Sequence, residues 1–124
     1  MNIESRYTLH AHFRKKMRKE HYDLRIVRPD KKKAWSFALP KADIPVQGKK
    51  LLAIRTPDHD LKVMDFEGRL KETGDTIKIL EQGKCDIVKN RLSHISILFH
   101  GKALDGLYAF VNIGKDNWLM IARK

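Results

Sequence analysis

Apolar residues recur at every second position in several stretches of this chain, the period of a β-strand whose side chains alternate between two faces. In residues 7–13, Tyr7, Leu9, Ala11 and Phe13 share one face while Thr8, His10 and His12 share the other. Residues 21–26 alternate as strictly, with Tyr22, Leu24 and Ile26 opposite His21, Asp23 and Arg25. Between them, residues 14–20 are charged and broken only by Met17, which predicts a short basic helix or a solvated loop. An aromatic-rich strand is expected over 34–39, ended by Pro40 with Lys41 at the rim. Strands are also expected over 51–56 and 61–66, joined by a turn at Pro57-Asp58-His59-Asp60. Residues 76–80 and 85–88 form a hairpin around Gln82-Gly83 in this reading, and 94–100, 107–113 and 118–121 complete the set.

About nine short strands at close spacing, with at most one short helix, indicate an all-β, mainly antiparallel domain of barrel or sandwich type. The interior of a small barrel is filled by side chains, so a site has to lie on an outer face or at a mouth.

Charge sharpens the picture. Lys and Arg number 26 against 15 Asp and Glu, a net charge of +11 over 124 residues. An excess of this size on one domain points to a polyanionic partner, nucleic acid ahead of an anionic membrane. The basic residues are spread along the chain, and no amphipathic basic helix of membrane-binding length is evident. The single Cys85 permits no internal disulfide and reads as an inert thiol. With no signal peptide or long apolar run, a soluble cytoplasmic protein without a membrane partner is expected.

The polar face of residues 21–26 carries the chemistry. An imidazole and a carboxylate two positions apart on a strand reach one divalent metal, and a guanidinium two positions further holds an anion beside it. The same three residues also suit an ordinary exposed face with an ion pair and no ligand.

The string His21-Tyr22-Asp23-Leu24-Arg25 resembles the HYDFR-type motif of the 3'-phosphoesterase domain of bacterial DNA ligase D and its stand-alone relatives. Phe37-Ala38-Leu39-Pro40-Lys41 resembles that family's WAVPK segment, and Leu52-Ala53-Ile54 running into Asp58-His59 resembles its LAV and DH segments. Phe66-Glu67-Gly68 reproduces FEG, Leu98 to Gly106 resembles a glycine-spaced stretch, and Lys115-Asp116-Asn117-Trp118-Leu119 resembles the KDNWLL close. The landmarks keep the family's order over nearly the whole chain.

The resemblance implies a single domain over residues 1–124, folded as a small β-barrel with one or two short flanking helices. It implies a Mn²⁺-dependent enzyme, with other divalent transition metals conceivable, that removes a 3'-phosphate and a 3'-terminal ribonucleoside to leave a 3'-hydroxyl. Its partners would be DNA or RNA/DNA 3' ends, with a separate ligase or polymerase acting in trans. By the same resemblance the metal ligands are His12, His21 and Asp23, with His10 as the substitute for His12. Arg25, Lys41 and His59 are the catalytic and phosphate-binding residues, with Arg55 a further phosphate contact and Asp58 orienting His59. His12 and His21 are nine positions apart, a longer interval than is usual in the family. Pro57, Val63 and Leu51 stand where the family has an acid, a Tyr and an Arg, and the loop after Gly68 is shortened. The match therefore carries the metal ligands more fully than the outer substrate contacts. Two other readings fit the composition: a non-catalytic basic barrel that binds nucleic acid, and a related nuclease or 2',3'-cyclic phosphate hydrolase.

Overall fold

The computed structural model describes residues 2–123. Its strands are β1 (Ile3–Arg14), β2 (Lys19–Val27), β3 (Lys33–Leu39), β4 (Lys50–Asp60), β5 (Gly68–Arg69), β6 (Thr76–Arg91), β7 (His94–His100), β8 (Asp105–Gly114) and β9 (Asn117–Ala122). They are ordered β1-β2-β3-β4-β9-β8-β7-β6-β5, and β1 also pairs with β6. That pairing closes eight antiparallel strands into a barrel and leaves two-residue β5 as a flap on β6. Closure removes the sheet edges that an open sheet of this length would expose.

The apolar face of each strand fills the barrel. Tyr7, Leu9, Leu24, Ile26, Phe37, Leu39, Ile97, Phe99, Phe110 and Met120 are all 0–1% exposed, so large side chains occupy the barrel interior. Phe37 stacks on Phe110 at 4.8 Å between centroids and meets Trp118 edge-on at 5.6 Å. Each such side chain taken fully out of water contributes roughly 1.5–3 kcal/mol. Cys85 lies in this core, where burial pushes its thiol up to about 12, as an inert thiol requires.

Four local expectations are corrected. The helix offered as one alternative for residues 14–20 does not form, and the solvated loop shrinks to an exposed tight turn at residues 15–18, because β1 and β2 run on into a hairpin. Propensity favoured a helix, but cross-strand pairing of Phe13 with Glu20 and Arg14 with Lys19 wins. Pro57-Asp58-His59-Asp60 is no turn either; β4 continues through it with an irregularity in its pairing to β3 between Ala34 and Ser36. Pro57, which has no N–H to give a ladder, is accommodated at this bulge. Residues 61–66, expected as a strand, contain a 3₁₀ helix at Leu61–Asp65 instead, capped by the Asp60 side chain accepting from the Lys62 N–H. It is the one helical element among the described residues. Gln82-Gly83 sits inside the long strand β6, not at a hairpin. Gly83 faces Tyr7 of β1, and a Cβ there would lie 3.0 Å from the phenol ring, so this glycine answers to a close approach of side chains.

The 3₁₀ helix lies on the outside of the barrel, over the start of the site. Its Met64 packs with Val27 and Ala34, and Leu61 and Val63 add to this small second cluster. Thr8 Oγ1–H donates to the Met64 carbonyl at 2.7 Å, and Gln82 Nε2–H donates to the same oxygen at 2.9 Å.

Candidate metal and phosphate site

Strand pairing assembles the site in rows across the outer wall. His12 is directly opposite His21; His10 is opposite Asp23, which is opposite Ala38; Thr8 is opposite Arg25, which is opposite Ser36. Because the two histidines are cross-strand partners, the nine-residue interval between them is simply the length of the hairpin, and a longer hairpin does not part them.

Asp23 Oδ2 is the hub. His21 Nε2 approaches it at 3.2 Å, His12 Nδ1 at 3.3 Å and the Arg25 guanidinium at 3.6 Å. One donor atom each from His12, His21 and Asp23 lies within 4.8 Å of the others, and the two imidazoles are 4.6 Å apart between centroids. Burial would raise the Asp23 carboxyl, but the His21 hydrogen bond, the Arg25 charge and the His12 hydrogen bond together hold it below the usual carboxylate range. His10, the substitute ligand, is not in this group: it is fully buried and its Nε2–H donates to the Phe66 carbonyl at 2.9 Å.

Two residues that pattern alone left unremarked complete the arrangement. His12 Nε2–H donates to Asp75 Oδ2 at 2.8 Å, and Asp75 Oδ1 accepts from the Lys15 N–H at 3.1 Å. Asp75 is 8% exposed despite lying in what reads as a charged loop, and the His12 hydrogen bond is the main cause of its lowered pKa. Its only sequence signal is its place between Gly74 and the first residue of a strand. Ser36 is the second. Its Oγ accepts from Arg25 NH1 at 3.0 Å and meets His59 Nδ1 at 2.9 Å. A lone hydroxyl between Trp35 and Phe37 was the signal there.

The β4 bulge puts His59 in reach. Ile54 and Thr56 pair with Ala38 and Ser36 and face outward, so strict alternation would turn His59 into the core; the extra residue turns it outward, opposite Ala34. His59 Nδ1 accepts from Ser36 Oγ–H and, at 3.3 Å, from Arg25 NH1. That leaves the proton of a neutral imidazole on Nε2. Burial, and then the neighbouring Arg25 charge, lower the His59 pKa and favour this neutral form. Asp58 does not orient His59. It accepts from Arg28 at 2.7 Å and pairs with Arg55 at 3.5 Å; Ser36 does the orienting.

Arg25 is only 6% exposed, and its Nε–H has no partner among the described residues, as is true of His10 Nδ1. Arg55 is not brought to the cluster: its guanidinium lies over the Trp118 ring, 5.7 Å from the centroid, beside Asp58. Lys41 is exposed in the turn beyond β3. His94 and His100 stay apart from the site, bonded to Ser96 and Asp86, and Glu67 has a structural part, accepting the Ile79 N–H at 2.8 Å.

A closed antiparallel barrel with a filled interior, carrying on its outer wall two imidazoles and a carboxylate backed by a buried guanidinium, is a small β-domain whose candidate ligand cluster lies on the wall and not in a lumen. The comparisons with known proteins make this specific. The chain belongs to the DNA Ligase D 3'-phosphoesterase domain family, whose match spans residues 10–112. It is 32% identical over 117 residues to the multifunctional non-homologous end joining protein LigD of Mycolicibacterium smegmatis, a match covering 82% of this chain and 15% of that protein. The chain thus spans a small part of that relative's length. Among the described residues, no helix is long and apolar enough to cross a membrane.

Proposed function

We propose that this chain is a metal-dependent phosphoesterase that heals DNA 3' ends, releasing a 3'-phosphate to leave a 3'-hydroxyl for repair. The observation that carries the reading is the convergence of His12, His21 and Asp23 on one point of the wall, with Arg25 and His59 next to it.

The donor set fits a divalent ion. Separations of 3.2 and 3.3 Å from Asp23 Oδ2 are close to the edge of a coordination shell with bonds of about 2.1 Å. His12 turns both ring nitrogens toward carboxylate oxygens, whereas a neutral imidazole has one N–H to give, and a cation at Nδ1 removes the conflict. A carboxylate on the far nitrogen of a ligating histidine is the usual support of such sites, and Asp75 occupies that place. Two imidazoles and one carboxylate suit Mn²⁺ and other divalent transition metals. When bound, the ion supplies positive charge and Lewis acidity to the phosphoryl group.

The protein's own groups do the rest. Arg25 places a fixed, desolvated positive charge behind the site, where it acts on phosphate oxygens more strongly than in water. His59 offers its Nε2–H to a phosphate oxygen as negative charge develops on it. It serves as a hydrogen-bond donor and not as a proton source, because its Nδ1 is committed as an acceptor to Ser36 and Arg25. Lys41 adds a point charge at the rim, while Arg55 is held away by Trp118 and Asp58.

The test is release of phosphate from a primer bearing a 3'-phosphate, in Mn²⁺ and in chelator, by the wild-type chain and by Asp23→Ala. Turnover that needs the ion and falls to background in the variant supports the reading; full activity in the variant overturns it. Primers with 3'-ribonucleotide and 2',3'-cyclic phosphate ends, run alongside, define how far the activity extends.

A further inference from the structure

The tip of the β1–β2 hairpin carries features that the reacting centre does not use. Residues 14–19 read Arg-Lys-Lys-Met-Arg-Lys, and all six are exposed. Among the described residues, none of the five cations lies within 4.0 Å of a carboxylate. Like charges packed into one turn repel, so nothing within the fold accounts for this run. Met17 stands 57% exposed among them.

The tip is nevertheless held in place. The Lys15 N–H is bonded to Asp75, and the Lys15 side chain lies so close over Gly74 that a Cβ there would come within 2.9 Å of it. Beside the hairpin opens a cleft of about 230 Å³, with Met17, Ala38, Pro40 and Ile54 as apolar walls and Arg14 and Lys19 at the rim. His21, one of the three converging side chains, also lines it, so the cleft adjoins the centre. The cleft is smaller than the roughly 300–1,000 Å³ of a drug-sized pocket, which suits a single planar base against apolar walls. Glu20, the one acid in the lining, disfavours a phosphate in the cleft itself and leaves it to an uncharged group.

We propose that this hairpin and cleft are the strand-binding face of the protein: the cleft takes the 3'-terminal nucleoside, and the cations of the tip take the backbone phosphates upstream of it. The proposal rests on the phosphoesterase reading above, because a 3'-phosphate at the centre is what directs the nucleoside past His21. Met17, an adaptable apolar side chain, covers the base without selecting among bases.

Binding of a fluorescent primer–template with a 3'-phosphate, measured by anisotropy in EDTA so that nothing turns over, tests it. Lys16→Glu/Arg18→Glu is compared with Lys89→Glu/Arg91→Glu, an equal charge reversal at or beside the β6–β7 turn, at the opposite end of the barrel. The tip variant loses at least about tenfold in affinity, and its log affinity against log salt becomes shallower by about 1.8, two contacts at 0.9 each. The far-end variant changes less than about twofold by the same electrostatic reasoning. A 3'-terminal 5-iodouridine crosslinks to the peptide holding Met17, and Met17→Asp removes that product. Equal losses in the two charge reversals, or crosslinking elsewhere, overturn the proposal. The two readings fail separately: tip-dependent binding without phosphate release in Mn²⁺ removes the phosphoesterase, whereas phosphate release with tip-independent binding removes only this face.

Discussion

The two outer walls of the barrel are written in the same alternating pattern and have opposite fates. On β1–β3 the outward residues Thr8, His10, Asp23, Arg25 and Ser36 are buried, at 0–6% exposure, although each is polar or charged. On β7–β9 the outward Ser96 and Ala109 are also buried, but neither is charged, while His94, Leu98, Val111, Leu119 and Ile121 are half-buried and His100 is exposed. The 3₁₀ helix and the segment after it contribute to the difference: they cover part of the first wall, with Met64 packed on Val27 and Ala34 and the Met64 and Phe66 carbonyls bonded to Thr8 and His10. Burying a carboxylate and a guanidinium costs several kcal/mol per ion before any pairing offsets it, so a fold gains little stability from doing so. Charged groups held in a covered cluster on one wall, and absent from the covered positions of the other, support placing the proposed chemistry on the first wall.

Four substitutions or conditions break or sharpen that contrast. The largest effect falls on His59→Ala, which lowers the rate of 3'-phosphate release by roughly 10²–10³-fold, the cost of one donor to developing charge. Its Mn²⁺ affinity, followed by titration calorimetry, stays at the wild-type value, since His59 is no part of the converging triad. Next is Asp75→Asn, which keeps the size of the side chain and removes the charge behind His12; Mn²⁺ affinity drops by roughly 10–100-fold. The loss appears in the metal titration itself, which a merely structural role would leave unmoved.

A smaller effect is read in stability against pH. The His59 pKa is lowered in the folded chain, so between that value and 6.5 the unfolded chain takes up a proton that the folded one refuses. Stability therefore declines as pH falls from 6.5 toward the lowered value, and urea unfolding of His59→Gln shows a flatter profile over that interval than wild type. The stability held by Asp23 and Asp75, whose pKa values are lowered, is lost only at more acid pH, so the windows separate. The smallest change is expected on the second wall. His94→Gln leaves phosphate release as it was and shifts unfolding by less than about 0.5 kcal/mol.

What the residues alone determine here is whatever depends on local period. In β1 and β2 alternation assigns Tyr7, Leu9, Leu24 and Ile26 to one side and sets His21, Asp23 and Arg25 on the other, because a pleated chain has no third direction to point them. Long-range order is a different matter. That His12 faces His21 depends on the hairpin register, which no single strand encodes. That His59 faces the site depends on a bulge around Pro57, a sequence that punctuates as a turn but lies in a strand because β3 pairs with it. Gly83 reads as a corner until Tyr7 is seen crossing it. Asp75 becomes part of the site only once barrel closure brings the start of β6 beside β1, and Ser36 only once β3 pairs with β2. Hydrogen bonds between residues some sixty positions apart, such as that from His12 to Asp75, follow from closure of the sheet, and closure is a property of all eight strands together.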